Sequence, residues 1–461
     1  MAFCWSSSNN ILSGNDITEN GVVGIKLQSS NHNRISGNKV TKNAYQGNVR
    51  LDSSSDNIIS GNNITGPSNG YGISLYSSSN YNNISENSIS TQGFDGIAVF
   101  RSHSNTASGN NLTNNDDGVT LGYSSSNNNI SGNIITANRA YGIWINQSLN
   151  NIVSENNIVN NYEGIVFDYS LSNIISGNNI TNQWNGIMLH QSLNNTISEN
   201  NVTANGEHGV WLTSSSINNV SRNNITNNNW NGMMLDYSSN NNTISKNKIT
   251  TNRSHGLHLL LSSSNNILSG NNITNNDLRG ITLEGSSNNN TISESQIAEN
   301  SWEGISLASS NKNRILGNNI TKNYEGIVVQ QISYNTISGN NITANNYSGI
   351  YLDSSSNNTI SGNNIADNDD GIGLDSSSSN TFYHNNFANN AYQVESDGSP
   401  NTWDTGYPSG GNYWSVYNGK DQYEGPSQNI PGNDTIGDTP YEINANNTDR
   451  YPFEDPNGWP P

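Results

Sequence analysis

Seven side chains of the kinds that hold sugars recur through the middle of this chain: Trp144, Asp168, Trp184, His190, Trp211, Trp230 and Asp236. Indole faces offer large flat apolar surfaces of the kind that cover pyranose rings, and carboxylate and imidazole groups bond hydroxyls. Their spacing is regular. Asp168, His190 and Asp236 each stand two residues after the second residue past a recurring glycine, as in Gly-Ile-x-Leu-x, while Trp144 and Trp211 fill the inner x. Trp184 and Trp230 stand two before that glycine, in line with Phe94, Tyr162, Trp302, Tyr324 and Tyr347; Glu163, His208 and His255 stand one before it. Carbohydrate binding is the chemistry this set supports. Glycoside hydrolysis needs two carboxylates about 5–9.5 Å apart. Asp168 and Asp236 are three repeats apart, about 14 Å if repeats stack as strands, whereas Asp168 and His190 are neighbours at about 5 Å. A polysaccharide-active enzyme (hydrolase, lyase or epimerase) is therefore the alternative reading, and Asp369, Asp370 and Asp375 form a second acidic group.

Two further sets carry potential chemistry. Asp421, Asp434 and Asp438 lie among Gly and Asn, and oxygen-rich, glycine-punctuated loops suit calcium, so a calcium site is the cofactor expectation. Some twenty Asn-x-Ser/Thr sequons occur. Asn252 and Asn346, outside the commonest repeat phrase, are the better glycan candidates.

The elements that position these residues follow from the repeat. The phrase Asn-x-Ile-Ser-Gly-Asn-x-Ile-Thr-x-Asn, a short turn, then Gly-Ile-x-Leu recurs with its last glycine at sixteen positions from Gly24 to Gly371, spaced 22 to 25 residues apart. Each unit holds three short apolar pieces separated by Gly, Asn and Ser, the pattern of strands and turns. No unit can bury its own apolar side, so the units must stack at about 4.8 Å. The reading is all-β: a right-handed single-stranded parallel β-helix of about 16 coils, three short strands per coil. The Ser-Gly-Asn asparagine reads as an architectural ladder, with Ser295 as its exception. In Gly-Ile-x-Leu-x both x positions point outward, which places the sugar-type residues on one face.

Proline sets the boundary. Only Pro67 lies among the coils, and the other nine fall between Pro400 and Pro461; proline is excluded from interior strands. The domains are thus residues 1–395, the repeats, and 396–461, a Pro/Trp/Tyr/Gly-rich C-terminal cap. An uncapped end would invite self-association through open strand edges. The repeat, followed by Asn401-Thr402-Trp403-Asp404, Gly410-Gly411-Asn412-Tyr413-Trp414, Ile436-Gly437-Asp438-Thr439-Pro440-Tyr441 and Asp449-Arg450-Tyr451-Pro452, resembles NosD-like proteins. That resemblance implies a β-helix of the carbohydrate-binding and sugar-hydrolysing group, with a tail found in archaeal surface proteins. It also brings copper handling into view as a minor alternative. Soft copper sites want clustered Cys or Met, with His for Cu(II), and four Met, one Cys and seven His are a poor supply, Met188, His190 and Met234 being the nearest to a group.

Composition agrees with an exported binding module. The net charge of −19 argues against nucleic acid as a partner, and no stretch approaches the roughly 20 apolar residues of a membrane-spanning helix. Residues 1–8 lack the basic start and apolar core of an export signal, so the chain reads as a piece whose signal lies elsewhere. The expectation is an extracellular or cell-surface structural or polysaccharide-binding module of an archaeal cell envelope.

Overall fold

The computed structural model describes residues 2–43, 46–66 and 69–459, with side chains from Ser6 onward; Pro67 lies outside the described residues. The chain divides into two compact units, residues 1–230 and 231–461. Both are right-handed parallel β-helix. In the first, ten turns each give one strand to three parallel sheets, as Tyr141–Asn146, Ile152–Ser154 and Asn157–Val159 do. The second holds seven such turns and a last strand, Tyr392–Ser396, before the cap. The turn that carries Phe382 and Phe387 is complete, opening on Asp370–Asp375; the one turn beyond the glycine count is the first, whose opening strand Ala2–Trp5 has no glycine. Among the described residues no helix is long and apolar enough to cross a membrane.

The strands are short because the corners are fixed. Tyr169, Gly177 and Asn182 close successive corners of one turn with φ of 50°, 65° and 59°, the left-handed region that Gly and Asn enter at least cost. Between corners the alternation of side chains puts one apolar residue inside per three-residue strand; Ile165, Phe167, Ile175 and Ile180 are all fully buried. The repeat glycine faces the same crowded interior. A Cβ on Gly164 would run into the Gly186 carbonyl oxygen of the next coil, so the column admits no larger residue without a shift.

Asparagine holds the corners. Asn156 donates both its backbone N–H and its Nδ2 to Asn178 Oδ1, at 3.0 and 2.9 Å, and Nδ2 also reaches the Ile130 carbonyl at 3.0 Å. This ladder was legible in the sequence. Two more run beside it: one through Asn128, Asn151, Asn173 and Asn195, and one through Asn115, Asn138 and Asn161. A buried amide left without partners costs about 1–3 kcal/mol, so a chain this rich in Asn is stable only where the amides satisfy one another. The third ladder corrects one expectation. Asn252 is fully buried and donates to Asn276 at 2.9 Å, so a folded coil leaves no room for a glycan there, while Asn346 is exposed.

The segment after residue 396 is built onto the last turn of the second unit. Tyr413–Trp414 pairs in parallel with Asn386–Ala388, and Asn401 and Asn412 extend two ladders by accepting from Asn380 and Asn385. Trp403 stacks on Phe382 at 4.3 Å and Trp414 on Phe387 at 4.4 Å. Broad rings thereby close the apolar interior where an Ile column would stop open.

Candidate functional site on the first sheet

The outward face of the Gly-Ile-x-Leu sheet brings several of the expected residues together in the first unit. Register places Asn146, Asp168, His190 and Thr213 on successive rungs. The Asp168 carboxylate is held on both sides: Trp144 Nε1 donates to Oδ2 at 2.8 Å, and His190 Nδ1 lies 3.1 Å from Oδ1. Nδ1 of His190 is thus turned to Asp168, on a side chain that is one-third exposed. Tyr169 packs edge-on against the imidazole at 5.5 Å. Trp184 is 45 % exposed and lies flat over Tyr162, with centroids 6.3 Å apart and planes 9° apart. Trp230 is also exposed, and Trp211, half-buried, packs on His208 at 5.5 Å.

One expected residue does not fit the strip, and a neighbour of the strip is covered too. Asp236 belongs to the second unit and is only 3 % exposed, and Thr213 is likewise covered. An outward direction is not exposure in this fold: at a rung spacing near 4.8 Å, bulky neighbours above and below close over a short side chain. Val166 and Thr120 are buried on the same face for that reason.

The second unit repeats the aromatic theme. Tyr324 stacks on Tyr347 at 6.1 Å, and Arg279 sits over exposed Trp302 while bonding Glu303. His258 Nε2 lies 2.8 Å from Glu284 and His255 is 4.9 Å from His258; burial pushes His255 down to about 3, so it is neutral.

Sequence reasoning missed one pair of acids. Asp95 and Asp117 are buried in a pocket of about 530 Å³ on the first unit, with Tyr71, Tyr76, Phe100 and Trp144 on its walls. The available signal was an Asp directly before the repeat glycine in two consecutive coils, Asp95-Gly96 and Asp117-Gly118.

Several carboxyls on this face are pushed upward by burial: Asp117 to about 6, Glu163 and Glu325 to about 7. Each therefore binds its proton more tightly folded than unfolded. The stabilisation is complete below about pH 4 and is lost as pH rises through 6–7. The thermal midpoint is expected to be higher by a few degrees at pH 4.5 than at pH 7.5. A scan in which it rises toward pH 7.5 contradicts these protonation states.

The carboxylates of the calcium expectation are engaged by loop amides. Asp421 accepts the Asp434 and Thr435 N–H groups at 3.0 and 2.6 Å, Asp438 accepts those of Gln422 and Tyr423, and Asp434 takes the Gly425 N–H. Among the described residues no three His, Cys, Asp or Glu side chains are placed to share a metal ion.

Residues 141–279 and 260–419 match the family described as periplasmic copper-binding protein (NosD), and residues 44–173 match the right-handed beta helix region. No curated protein matches. Among solved structures, the chain is similar to a mutant of the periplasmic alginate epimerase AlgG at 15 % identity (67 % of this chain, 76 % of that one, TM-score 0.42). It is similar to the mannuronan C-5 epimerase AlgE4 A-module of Azotobacter vinelandii at 14 % (82 % and 90 %, TM-score 0.43). The Dettilon tailspike protein is similar at 17 % (61 % and 62 %, TM-score 0.44). The residues present do not suit copper, which favours clustered soft ligands: Met188 stands in register between Val166 and Trp211, Met234 contacts Asn231, and His190 sets Nδ1 against Asp168.

Proposed function

This chain belongs to the NosD family of right-handed β-helix proteins, and from that premise we propose that it is an extracellular polysaccharide-binding module of a cell envelope. One observation carries the reading: the exposed, parallel-stacked Tyr162–Trp184 pair stands on the coils of Asp168 and His190, next to the Trp144–Asp168–His190 network. The rings supply a flat apolar floor, and the network supplies a carboxylate and an imidazole already locked in place. A sugar hydroxyl then meets groups whose rotamer freedom is already lost, which lowers the cost of binding. Tyr162 and Asp168 are six residues apart, about 20 Å along an extended strand, so a chain of several sugar residues is needed to span both. Solitary monosaccharides bridge only one.

The test is a glycan array followed by titration of the best polymer. Trp184→Ala, which removes surface and not core, is expected to weaken binding at least tenfold, about 1.4 kcal/mol. Monosaccharides are expected to compete poorly with the polymer. Failure of the wild type to retain any envelope polysaccharide, or binding indifferent to Trp184→Ala, removes this reading.

A further inference from the structure

The pocket around Asp95 and Asp117 borders that binding face through Trp144, but its acids are not part of it and its chemistry is of another kind. The two acids come together because the repeat stacks them. Gly96 N–H bonds to the Asp117 carbonyl at 2.8 Å, and Ile97 pairs with Val119 immediately after. The side chains therefore leave neighbouring rungs of one outward column, about 4.8 Å apart. Their surroundings differ. Asp117 Oδ1 accepts the Tyr141 N–H at 2.9 Å, a donor that favours a carboxylate and that Asp95 lacks, while the Thr120 hydroxyl, 3.3 Å from Asp117 Oδ2, is shared with Asp95. Asp95 is buried against that carboxylate, and burial followed by the Asp117 charge raises it well above the ordinary carboxylate range. Two like acids driven to different protonation states are the arrangement of an acid and a base or nucleophile.

The pocket is also shaped for a ring. Tyr71, Tyr76, Phe100 and Trp144 wall it, and Asn146 on its lining has a buried Oδ1 with no hydrogen-bond partner. Such an acceptor suits a hydroxyl that enters with a ligand.

We propose that this pocket hydrolyses glycosidic bonds of a neutral polysaccharide, with Asp95 as general acid and Asp117 as nucleophile. The substrate class rests on the polysaccharide-binding reading; the reaction is additional to it. Neutrality follows from charge: with Asp95 protonated, Asp116 and Asp117 still outnumber Arg101 on the lining of a chain at −19, and a polyuronate is repelled by that field. A backbone rung spacing of about 4.8 Å is closer to the carboxyl separation of about 5–5.5 Å at which the second carboxylate attacks directly than to the about 6.5–9.5 Å of a mechanism that places a water between the acids. In the first step Asp95 gives its proton to the glycosidic oxygen, the bond from that oxygen to the anomeric carbon breaks, and Asp117 forms an ester with that carbon. In the second, Asp95, now ionised, takes a proton from water. The resulting hydroxide displaces Asp117, which leaves as carboxylate, and the acid form of Asp95 is restored.

The experiment incubates the full chain with neutral glucans, galactans and mannans, with polyuronates, and with 4-nitrophenyl hexosides that need only the pocket. Reducing ends are expected from at least one neutral substrate and from no polyuronate. Asp95→Asn and Asp117→Asn are each expected to lower the rate at least about 100-fold with binding at the Trp184 face retained. A 2-deoxy-2-fluoro hexosyl fluoride is expected to label wild-type Asp117, read as a mass increment on its peptide, which serves even where a variant fails to fold. Absence of turnover on every neutral polymer and hexoside, cleavage that survives both substitutions, or a label on a different residue overturns the proposal. Because hexosides do not reach the Trp184 face, loss of the binding reading and loss of this one are separate results.

Discussion

Ile225→Asp is expected to unfold the coils around it and to lower the melting temperature of the first unit by roughly 10–20 °C. Ile225 is fully exposed to the interior and to nothing else, in the strand Asn224–Thr226 paired in register with Val202. Removing its burial costs about 1.5–3 kcal/mol. An unpaired carboxylate between two coils adds several kcal/mol more, or is protonated at a similar cost. The loss begins locally, because each coil contacts only its neighbours. Ser295→Asn is the opposite case and belongs beside it. Ser295 is buried, and its hydroxyl accepts only the Asn271 N–H at 3.2 Å where an Asn would also take the Asn271 side chain. Restoring that rung is expected to add about 1 kcal/mol. Thermal unfolding of both variants beside the parent reads the result, and an Ile225→Asp protein that melts like the parent reverses the inward assignment of the whole column.

Trp414→Ala is expected to be nearly as damaging in the second unit, and to change association as well as stability. Trp414 is fully buried, stacks on Phe387 and on Tyr441 at 4.4 and 4.5 Å, and donates Nε1 to Asp449 at 2.9 Å. A large-to-small change at such a site costs about 3–5 kcal/mol. Asp449 loses one of the donors that offset its burial, which already pushes it up to about 7. The strand Tyr413–Trp414 also covers the edge of Asn386–Ala388. An uncovered parallel edge pairs with whatever strand it meets, so light scattering is expected to show dimers and larger species that the parent lacks. A monomeric variant with the parent's melting curve removes the capping role of Trp414.

The residues that make the fold were readable because the repeat reports its own geometry. Sixteen glycines at near-constant spacing, with a β-branched or Leu residue in phase with each, fix which side chains face in and which stack. At the end of the coils Phe382 and Phe387 stand where most earlier coils carry Ile or Val, and Trp403 and Trp414 stack on them. The candidate site was only half readable. Trp144, Asp168 and His190 were named, and they do meet. Asp236 was named on the same periodic grounds and is covered.

The sequence by itself determined the period, and with it the parallel stacking, the inward columns and the asparagine ladder, because every one of these depends on contacts one repeat away. Such contacts recur identically and add. The tertiary structure alone decided what the outer face can do. Whether Asp168 reaches Trp144 diagonally, whether Asp95 and Asp117 share a pocket, and whether Thr213 sees solvent depend on the sizes and rotamers of several unlike neighbours on adjacent rungs. Those residues are not constrained by the repeat, so their arrangement exists only once the coils are stacked at about 4.8 Å and the side chains have settled among one another.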